Sequence, residues 1–133
     1  MQYHYRFWRP IQAIPRAAED TNAATEADPA WQALLEAPPH PEYPSGHSTF
    51  TGAGCAVLEH FLGKGETPFE IGSDSLAGAT RRYRSVRQCA DEIGRSRIYG
   101  GIHFQFSNAQ GKALGERVAV EALEAIVLQR SAH

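Results

Sequence analysis

The proline-rich segment at residues 37–43 constrains the fold of this chain more than any other feature. It contains Pro38, Pro39 and Pro41 and leads directly into Pro44. Each proline pushes the residue before it out of the helical region of the backbone, so the segment must be extended. It therefore divides the chain into an N-terminal part of short pieces and a C-terminal part in which long helices can form.

Short elements are predicted before this segment. Residues 1–15 predict a helix that Pro10 kinks or restarts, because a proline removes one helical hydrogen bond. Residues 16–30 are small and polar and predict a loop, whereas residues 31–36 predict one or two turns of helix. We therefore expect helical pieces joined by loops in this part of the chain.

Three longer helices are predicted after it. The first covers about residues 48–62 and ends at Gly63, a typical residue for a helix C-terminus. The second begins with a capping box of Ser85 and Gln88 and runs to about Arg97. The last begins at residue 107 or 108 and runs to about residue 129. Its predicted apolar side consists of Leu114, Val118, Leu123, Ile126 and Val127.

The fold class follows from these helices. Within the long connection at residues 64–84, only residues 69–71 suggest extended structure. We therefore expect an all-α protein, a bundle of four or five helices with long loops.

Length and charge limit the functions that are open to the chain. With 133 residues it forms one domain at most, and a net charge of −2 gives no general reason to bind nucleic acid. No apolar run approaches the length of a membrane span, and residues 1–8 lack the apolar core of a signal peptide. We expect a soluble chain whose cellular compartment stays open. Cys55 and Cys89 match no metal or redox motif, and either a disulfide or two buried free thiols would fit them.

The sequence Pro44-Ser45-Gly46-His47 at the start of a predicted helix indicates an anion site. Backbone N–H groups at a helix N-terminus point outward with the positive end of the helix dipole. Ser45 adds a hydroxyl donor, and His47 adds a group that titrates near neutral pH. A simple helix cap with a surface histidine would explain the same residues.

A second candidate group is Arg97 followed by His103, with Gly100 and Gly101 between them. A glycine break after a helix can turn both side chains into one pocket, and the planar guanidinium suits a tetrahedral oxyanion. An arginine in the last turn of a helix beside a core histidine is the structural alternative. Arg9 contributes a further cation but is uninformative alone.

Taken together, these segments resemble the superfamily that joins type 2 phosphatidic acid phosphatases and vanadium-dependent haloperoxidases. Its pattern is a lysine, six residues and Arg-Pro; then Pro-Ser-Gly-His; then Ser-Arg, five residues, His, three residues and Asp. This chain has Arg9-Pro10, then Pro44-Ser45-Gly46-His47, then Ser96-Arg97 and His103. Stretches such as Phe-Trp-Arg-Pro and Ser-Arg-Ile-Tyr-Gly-Gly-Ile-His-Phe are most similar to the soluble bacterial haloperoxidase-like branch.

The resemblance implies roles for the matching residues. The expected oxyanion-binding set is Gln2, Arg9, Ser45, the backbone N–H of Gly46, and Arg97. The expected catalytic residues are His47 and His103. In a haloperoxidase His103 would bond to vanadium in a vanadate cofactor, hydrogen peroxide and halide would be the substrates, and His47 would act as acid–base. In a phosphatase of the family no cofactor is needed. There His103 would attack the phosphorus of a phosphate ester while His47 protonates the leaving oxygen.

Two positions depart from the family pattern. Gln2 occupies the position of the lysine, which removes one cation. On a continuous helix positions 2 and 9 would lie on one face, so the geometry would survive. Ser107 occupies the position of the final aspartate, and we expect it to cap the last helix instead.

His40 and the chain length bear on the function. His40 lies seven residues before His47, where bromide-oxidising members tend to carry a histidine. It is either a halide-side or tuning residue or an exposed loop histidine. The resemblance makes residues 1–133 a single, N-terminally truncated catalytic domain, the C-terminal half of a haloperoxidase-like helical core. It allows export of a full-length form, and it implies apolar surface that missing helices or a second subunit would cover.

Three functions therefore stay open at this point. The chain is a haloperoxidase-like enzyme, a soluble acid phosphatase that forms a phosphohistidine at His103, or an inactive fragment that binds oxyanions. Gln2, Ser107 and the short length favour the last of these, and His40 favours the first.

Overall fold

The computed structural model of the chain describes residues 2–74 and 76–131, with side chains described as far as residue 126. This part contains five α-helices, one short 3-10 helix and one antiparallel β-hairpin. In chain order they are α1 (Gln2–Tyr5), α2 (Pro10–Ala13), the 3-10 helix (Ala17–Glu19), α3 (Gly46–Leu62), β1 (Phe69–Gly72), β2 (Thr80–Tyr83), α4 (Val86–Tyr99) and α5 (Gln105–Ser131). The predicted all-α class is confirmed, with a small hairpin added.

The N-terminal segment differs from the predicted single helix. α1 ends at Tyr5, and Arg6 has a positive φ of 49°, which a continuing helix does not permit. Phe7 is instead tied to the proline-rich segment, because its carbonyl accepts a 3.0 Å hydrogen bond from the N–H of Glu42. The helix restarts at Pro10, as predicted. The expectation that positions 2 and 9 share one helical face is therefore wrong.

Residues 31–36 are also not helical. The N–H of Leu35 donates a 3.0 Å hydrogen bond to the carbonyl of Gly100 at the end of α4. The ring of Trp31 lies so close to Gly101 that a side-chain carbon there would come within 2.9 Å of it. These tertiary contacts with the α4–α5 turn keep residues 31–36 out of a helix and override their weak helical preference.

The helices α3 and α5 form the centre of the molecule. α3 begins two residues before its predicted start because Ser45 caps it, accepting from the N–H of Ser48, and it ends at Gly63 as predicted. α5 starts two or three residues earlier than predicted, at Gln105. Ser107 consequently lies inside the first turn of α5, and the prediction that it caps this helix is wrong.

The contact between these two helices is made by small residues. On α5 the buried positions recur every fourth residue, at Ser107, Gly111, Gly115 and Ala119. A side-chain carbon at Gly115 would overlap the backbone of α3. The predicted apolar side of α5 is therefore wrong as a buried face: Leu114 and Leu123 are half-buried, Val118 and Ile126 are exposed, and the side chain of Val127 lies outside the described residues.

The helix α4 packs beside this pair and is linked to it by an ion network. Ser85 caps α4 as predicted, and the helix continues two residues beyond its predicted end. Arg87 bridges the other two helices, because its guanidinium donates to Glu59 on α3 at 2.9 Å and to Glu116 on α5 at 2.8 Å. Both carboxylates raise the pKa of Arg87, so the network stays charged.

The hairpin occupies the long connection between α3 and α4. The extended residues predicted at 69–71 are part of β1, whereas β2 was not anticipated. Phe69 pairs with Tyr83 in register, and their ring centroids lie 5.4 Å apart. The sequence of β2, Thr-Arg-Arg-Tyr, does not alternate apolar and polar residues as a typical strand does. Three of its four residues are exposed.

Cys55 is buried and Cys89 half-buried, and both are free thiols, so the disulfide alternative is wrong. None of the described helices combines the length and the apolar character that crossing a membrane requires. The expected exposed apolar surface is present and includes Phe50 at 82% and Phe61 at 72% exposure. What covers this surface stays a prediction.

Candidate active site

The N-terminus of α3 provides the first part of the site. Ser45 is fully buried, and its Oγ accepts from the N–H of Ser48 while its own N–H donates to the carbonyl of Ser107. Gly46 opens α3, a helix of 17 residues, and is exposed. Only Gln2 Nε2, at 3.9 Å, would come near a side-chain carbon at Gly46. The backbone can therefore meet a ligand directly at the positive end of the α3 dipole.

Gln2 reaches this position in spite of the break after α1. Its Nε2 donates a 2.8 Å hydrogen bond to the carbonyl of Pro44. The side chain thus lies at the edge of the anion site where the family pattern has a lysine, but it offers an amide instead of a positive charge.

Arg97 provides a cation without a partner. It lies in the last turn of α4, half-buried, and its Nε is buried with no hydrogen-bond partner. Among the described residues it forms no ion pair, and desolvation lowers its pKa. A buried donor that is left unsatisfied is costly. A ligand that accepts hydrogen bonds would remove this cost, and an anion would do so best.

All three nitrogens of the Arg9 guanidinium contact other residues of the protein. Its Nε donates to the carbonyl of His40 at 2.8 Å, and its Nη1 donates to the carbonyl of Ile102 at 2.7 Å. Its Nη2 lies 3.1 Å from His40 Nδ1. Burial lowers the pKa of Arg9, the charge of Glu42 raises it, and the charge of Arg97 lowers it. Arg9, Arg97 and Glu42 are therefore electrostatic neighbours.

His40 is half-buried, so the simple reading of an exposed loop histidine is wrong. Its Nδ1 lies 3.1 Å from both Arg9 Nη2 and the carbonyl oxygen of Pro41. Because a guanidinium only donates and a carbonyl only accepts, Nδ1 can hydrogen-bond to one of these two groups but not to both. A cavity of about 960 Å³ opens beside Arg9 and His40, between the N-terminal segment and the proline-rich segment, and its lining does not include Arg97, His47 or His103.

His47 faces the positive charges of the site. Although the residue is exposed overall, its pKa is lowered, first by desolvation of the ring and then by Arg97, His103 and His40. These interactions place the histidines and Arg97 near one another although they are far apart in sequence. The three segments that carry the sequence pattern thus converge, while the roles assigned to their residues stay predictions.

A buried acid that is not among the predicted site residues holds His103. The side chain of His103 is 2% exposed, and its Nδ1 lies 2.7 Å from Oε1 of Glu42, which is 0% exposed. The same oxygen accepts a 3.0 Å hydrogen bond from the N–H of Phe104. Ser107 is fully buried and its Oγ has no hydrogen-bond partner, so it does not take over the role of the family aspartate.

A signal for Glu42 was present in the sequence. It is the only charged residue in the proline-rich segment, two residues before the Pro-Ser-Gly-His motif. Rings from three parts of the chain pack around this region: Tyr5 on Tyr43, Phe7 on Phe106, Tyr43 on Phe106 and Phe104 on Phe106, with centroids 4.9 to 5.7 Å apart. An acidic residue in such aromatic and proline-rich surroundings needs a specific partner.

The family model described as the VCPO second helical-bundle domain matches residues 1–130. The chain belongs to the vanadium haloperoxidase superfamily. Over 85% of its length it is 32% identical to the vanadium-dependent bromoperoxidase of Ascophyllum nodosum, and over 84% it is 26% identical to the vanadium chloroperoxidase of Curvularia inaequalis. These matches cover only 22% and 25% of the two relatives, so this haloperoxidase-family chain spans about a quarter of their length.

Solved structures give the same fold. A bacterial vanadium-dependent iodoperoxidase superimposes with a TM-score of 0.77 at 31% identity, over 92% of this chain and 28% of the other. A holo-type bacterial vanadium-dependent chloroperoxidase superimposes with a TM-score of 0.67 at 22% identity, over 87% and 29% of the two chains. The second likeness shows the fold alone.

The donor set of this haloperoxidase-family chain fits a vanadate group. The described residues contain no group of three or more His, Cys, Asp or Glu side chains that could hold a metal ion. An oxyanion needs cations and N–H donors instead, and the unsatisfied Nε of Arg97 and the open N-terminus of α3 are such donors. His103 adds one nitrogen, Nε2, which no described residue hydrogen-bonds.

Proposed function

We propose that this chain supplies the oxyanion-binding half of a vanadium-dependent haloperoxidase active site, which oxidises a halide with hydrogen peroxide. The observation that carries the proposal is the buried, unpartnered Nε of Arg97 beside Arg9 and two histidines. Two arginine side chains in one place repel one another without an anion between them. Residues 1–133 would act as one domain within a larger catalytic unit.

Each residue has a defined part in this proposal. Arg97 and Arg9 would bind the anion by charge, Ser45 and the N–H of Gly46 by neutral hydrogen bonds, and Gln2 by its amide. His103 would bond to vanadium through Nε2, because its Nδ1 is already held by Glu42. When bound, vanadate would activate hydrogen peroxide for oxygen transfer to the halide.

His47 would act as the general acid–base of this reaction. Desolvation and the nearby positive charges lower its pKa, so its ring is neutral near pH 7. A neutral imidazole accepts a proton through its free ring nitrogen. His47 is therefore suited to accept a proton from hydrogen peroxide, and the proton would be stabilised once an anion offsets Arg97.

A soluble phosphatase is the second candidate, and the contact between Glu42 and His103 favours it. With Nδ1 engaged, Nε2 can attack the phosphorus of a phosphate ester, form a P–N bond and release the alcohol, which takes its proton from His47. Water would then hydrolyse the phosphohistidine. The lowered pKa of His47 disfavours the protonated form that this step requires, so we place the phosphatase second.

Paired assays test the proposal. Orthovanadate is titrated into the protein by calorimetry, and bromination of a dye in hydrogen peroxide is then compared with hydrolysis of p-nitrophenyl phosphate. We expect vanadate-dependent bromination that is lost in His103→Ala and retained in His60→Ala, an exposed histidine on α3. Hydrolysis inhibited by vanadate, without bromination, supports the phosphatase. Oxyanion binding without turnover above the His103→Ala level identifies an inactive binding fragment.

A further inference from the structure

Glu42 is a fully buried acid at which three separate segments meet. Its Oε1 accepts from Nδ1 of His103 at 2.7 Å and from the N–H of Phe104 at 3.0 Å. Its own N–H donates to the carbonyl of Phe7 at 3.0 Å. The N-terminal segment, the proline-rich segment and the α4–α5 turn are therefore joined through this one residue.

Stability alone does not explain a carboxylate at this position. Taking a carboxylate out of water is costly, and buried ion pairs often stabilise no better than apolar residues of the same volume. The second oxygen of Glu42, Oε2, is buried and has no hydrogen-bond partner, which adds to the cost. An apolar residue in its place could not accept the hydrogen bonds from His103 and Phe104.

The consequence of the first of these bonds is visible at the histidine ring. A carboxylate only accepts hydrogen bonds, so Nδ1 of His103 must carry the hydrogen of the bond to Glu42. No described residue hydrogen-bonds Nε2 of His103, and in the neutral ring this atom keeps its lone pair. Glu42 therefore selects the tautomer and fixes the ring orientation that a bond from Nε2 requires.

We propose that Glu42 is the positioning residue for His103 and replaces the aspartate that the family pattern puts at position 107. Ser107 does not perform this role, because its Oγ has no hydrogen-bond partner. The ligand that His103 is positioned to meet is an oxyanion whose central atom takes a fifth bond, and in this respect the inference rests on the proposed function. The selection of the tautomer by Glu42 does not depend on it.

The first test measures the tautomer in the ligand-free protein. Nitrogen-15 NMR in weakly alkaline buffer reports which nitrogen of His103 carries the hydrogen, and His103→Gln assigns the signal. We expect the hydrogen on Nδ1 in the wild type and in Glu42→Gln, whose amide oxygen still accepts. In Glu42→Ala we expect it on Nε2. Glu42→Leu fills the same space and is read in the same way if the alanine variant does not fold.

The matched control for this test is Glu59→Ala. Glu59 is also a buried acid, 9% exposed, but it pairs with Arg87 away from the histidines. We expect His103 to keep its tautomer in this variant. An unchanged tautomer in both Glu42→Ala and Glu42→Leu overturns the proposal. An equal change in Glu59→Ala also overturns it, because the effect would then come from general loosening of the fold.

The second test compares two anions by calorimetry. Orthovanadate can bond to Nε2, whereas inorganic phosphate binds by charge and hydrogen bonds alone. We expect Glu42→Ala to weaken orthovanadate by about 10- to 100-fold, the usual effect of removing the partner of a ligating histidine, and phosphate by a smaller factor. Equal losses for both anions would assign Glu42 to the fold and refute the positioning role. If the wild type binds neither anion, the proposed function fails, and the tautomer measurement still decides the role of Glu42.

Discussion

Replacing Arg97 by alanine is the most direct perturbation of the proposed site. Its Nε is buried without a partner, and the side chain forms no ion pair with the described residues. Removing it therefore breaks no protein contact of the guanidinium that is seen in the structure. Arg9 is a poorer probe, because its guanidinium also holds the carbonyls of His40 and Ile102. A loss of anion affinity in Arg97→Ala can be assigned to the lost charge and donors.

The size of this loss follows from the position of the side chain. Two unit charges about 4 Å apart attract by roughly 4 kcal/mol at an effective dielectric constant near 20. Arg97 is half-buried, so solvent screens part of this attraction, and we take about half of it as the net loss. About 2 kcal/mol corresponds to roughly 30-fold weaker binding, because 1.4 kcal/mol is tenfold. Gln2→Ala removes only a neutral amide already bonded to Pro44, so a loss below about fivefold is expected.

Calorimetric titration with orthovanadate and with phosphate measures both losses. Arg95→Ala is the matched control, since Arg95 is an exposed arginine on the same helix. We expect its affinity to equal that of the wild type, and we expect the effect of Arg97→Ala to shrink at high salt. A larger loss in Gln2→Ala than in Arg97→Ala, or equal losses in the two arginine variants, would show that the anion binds elsewhere.

Three further predictions concern neighbouring features. His47 should titrate by NMR below the ordinary histidine value of about 6.5, and Arg97→Ala should raise its pKa only in part, because desolvation is the larger cause. Because the unfolded chain binds the His47 proton more tightly than the folded chain, folding stability should fall as pH drops below about 6.5. A measured His47 pKa at or above about 6.5 would contradict the site geometry. In chemical denaturation, Gly115→Ala should lower the free energy of unfolding by about 1–3 kcal/mol, because the added carbon overlaps α3. Gly54 faces open space, so Gly54→Ala should raise the free energy of unfolding by about 0.5–1 kcal/mol. Equal effects of the two substitutions would contradict the described helix contact. Gln2→Lys should strengthen orthovanadate binding by about tenfold at low salt, from roughly 1.4 kcal/mol of added attraction, and no gain would place Gln2 outside the anion's reach.

Local sequence signals predicted the helix ends well. Ser85 and Gly63 mark ends because capping depends on a side chain and a backbone conformation within a few residues. The prolines likewise indicated correctly where α2 begins and that residues 37–43 are not helical. The meeting of Arg9, Arg97 and the histidines was not available from spacing alone, because it depends on how three distant segments pack. The family resemblance supplied it.

The errors have physical causes that do not lie within a short window of sequence. The break after α1 arises because Phe7 bonds to Glu42, which is 35 residues away along the chain. The buried face of α5 was misassigned because periodicity rules select large apolar residues, whereas α3 approaches so closely that Gly111 and Gly115 fill the contact. Glu42 was overlooked because an acid among prolines has the composition of a solvated loop.

The bonds that hold Arg9 have a consequence for ligand binding. A long side chain with no fixed partner loses conformational entropy when it binds an anion, and this loss reduces the affinity. The carbonyls of His40 and Ile102 have already fixed the guanidinium plane of Arg9. The remaining N–H groups of Arg9 need no further ordering, so most of the entropy that an anion must still remove belongs to Arg97. Anion selectivity should therefore depend chiefly on Arg9, whose geometry is constant, and the rate of anion release on how readily Arg97 moves away.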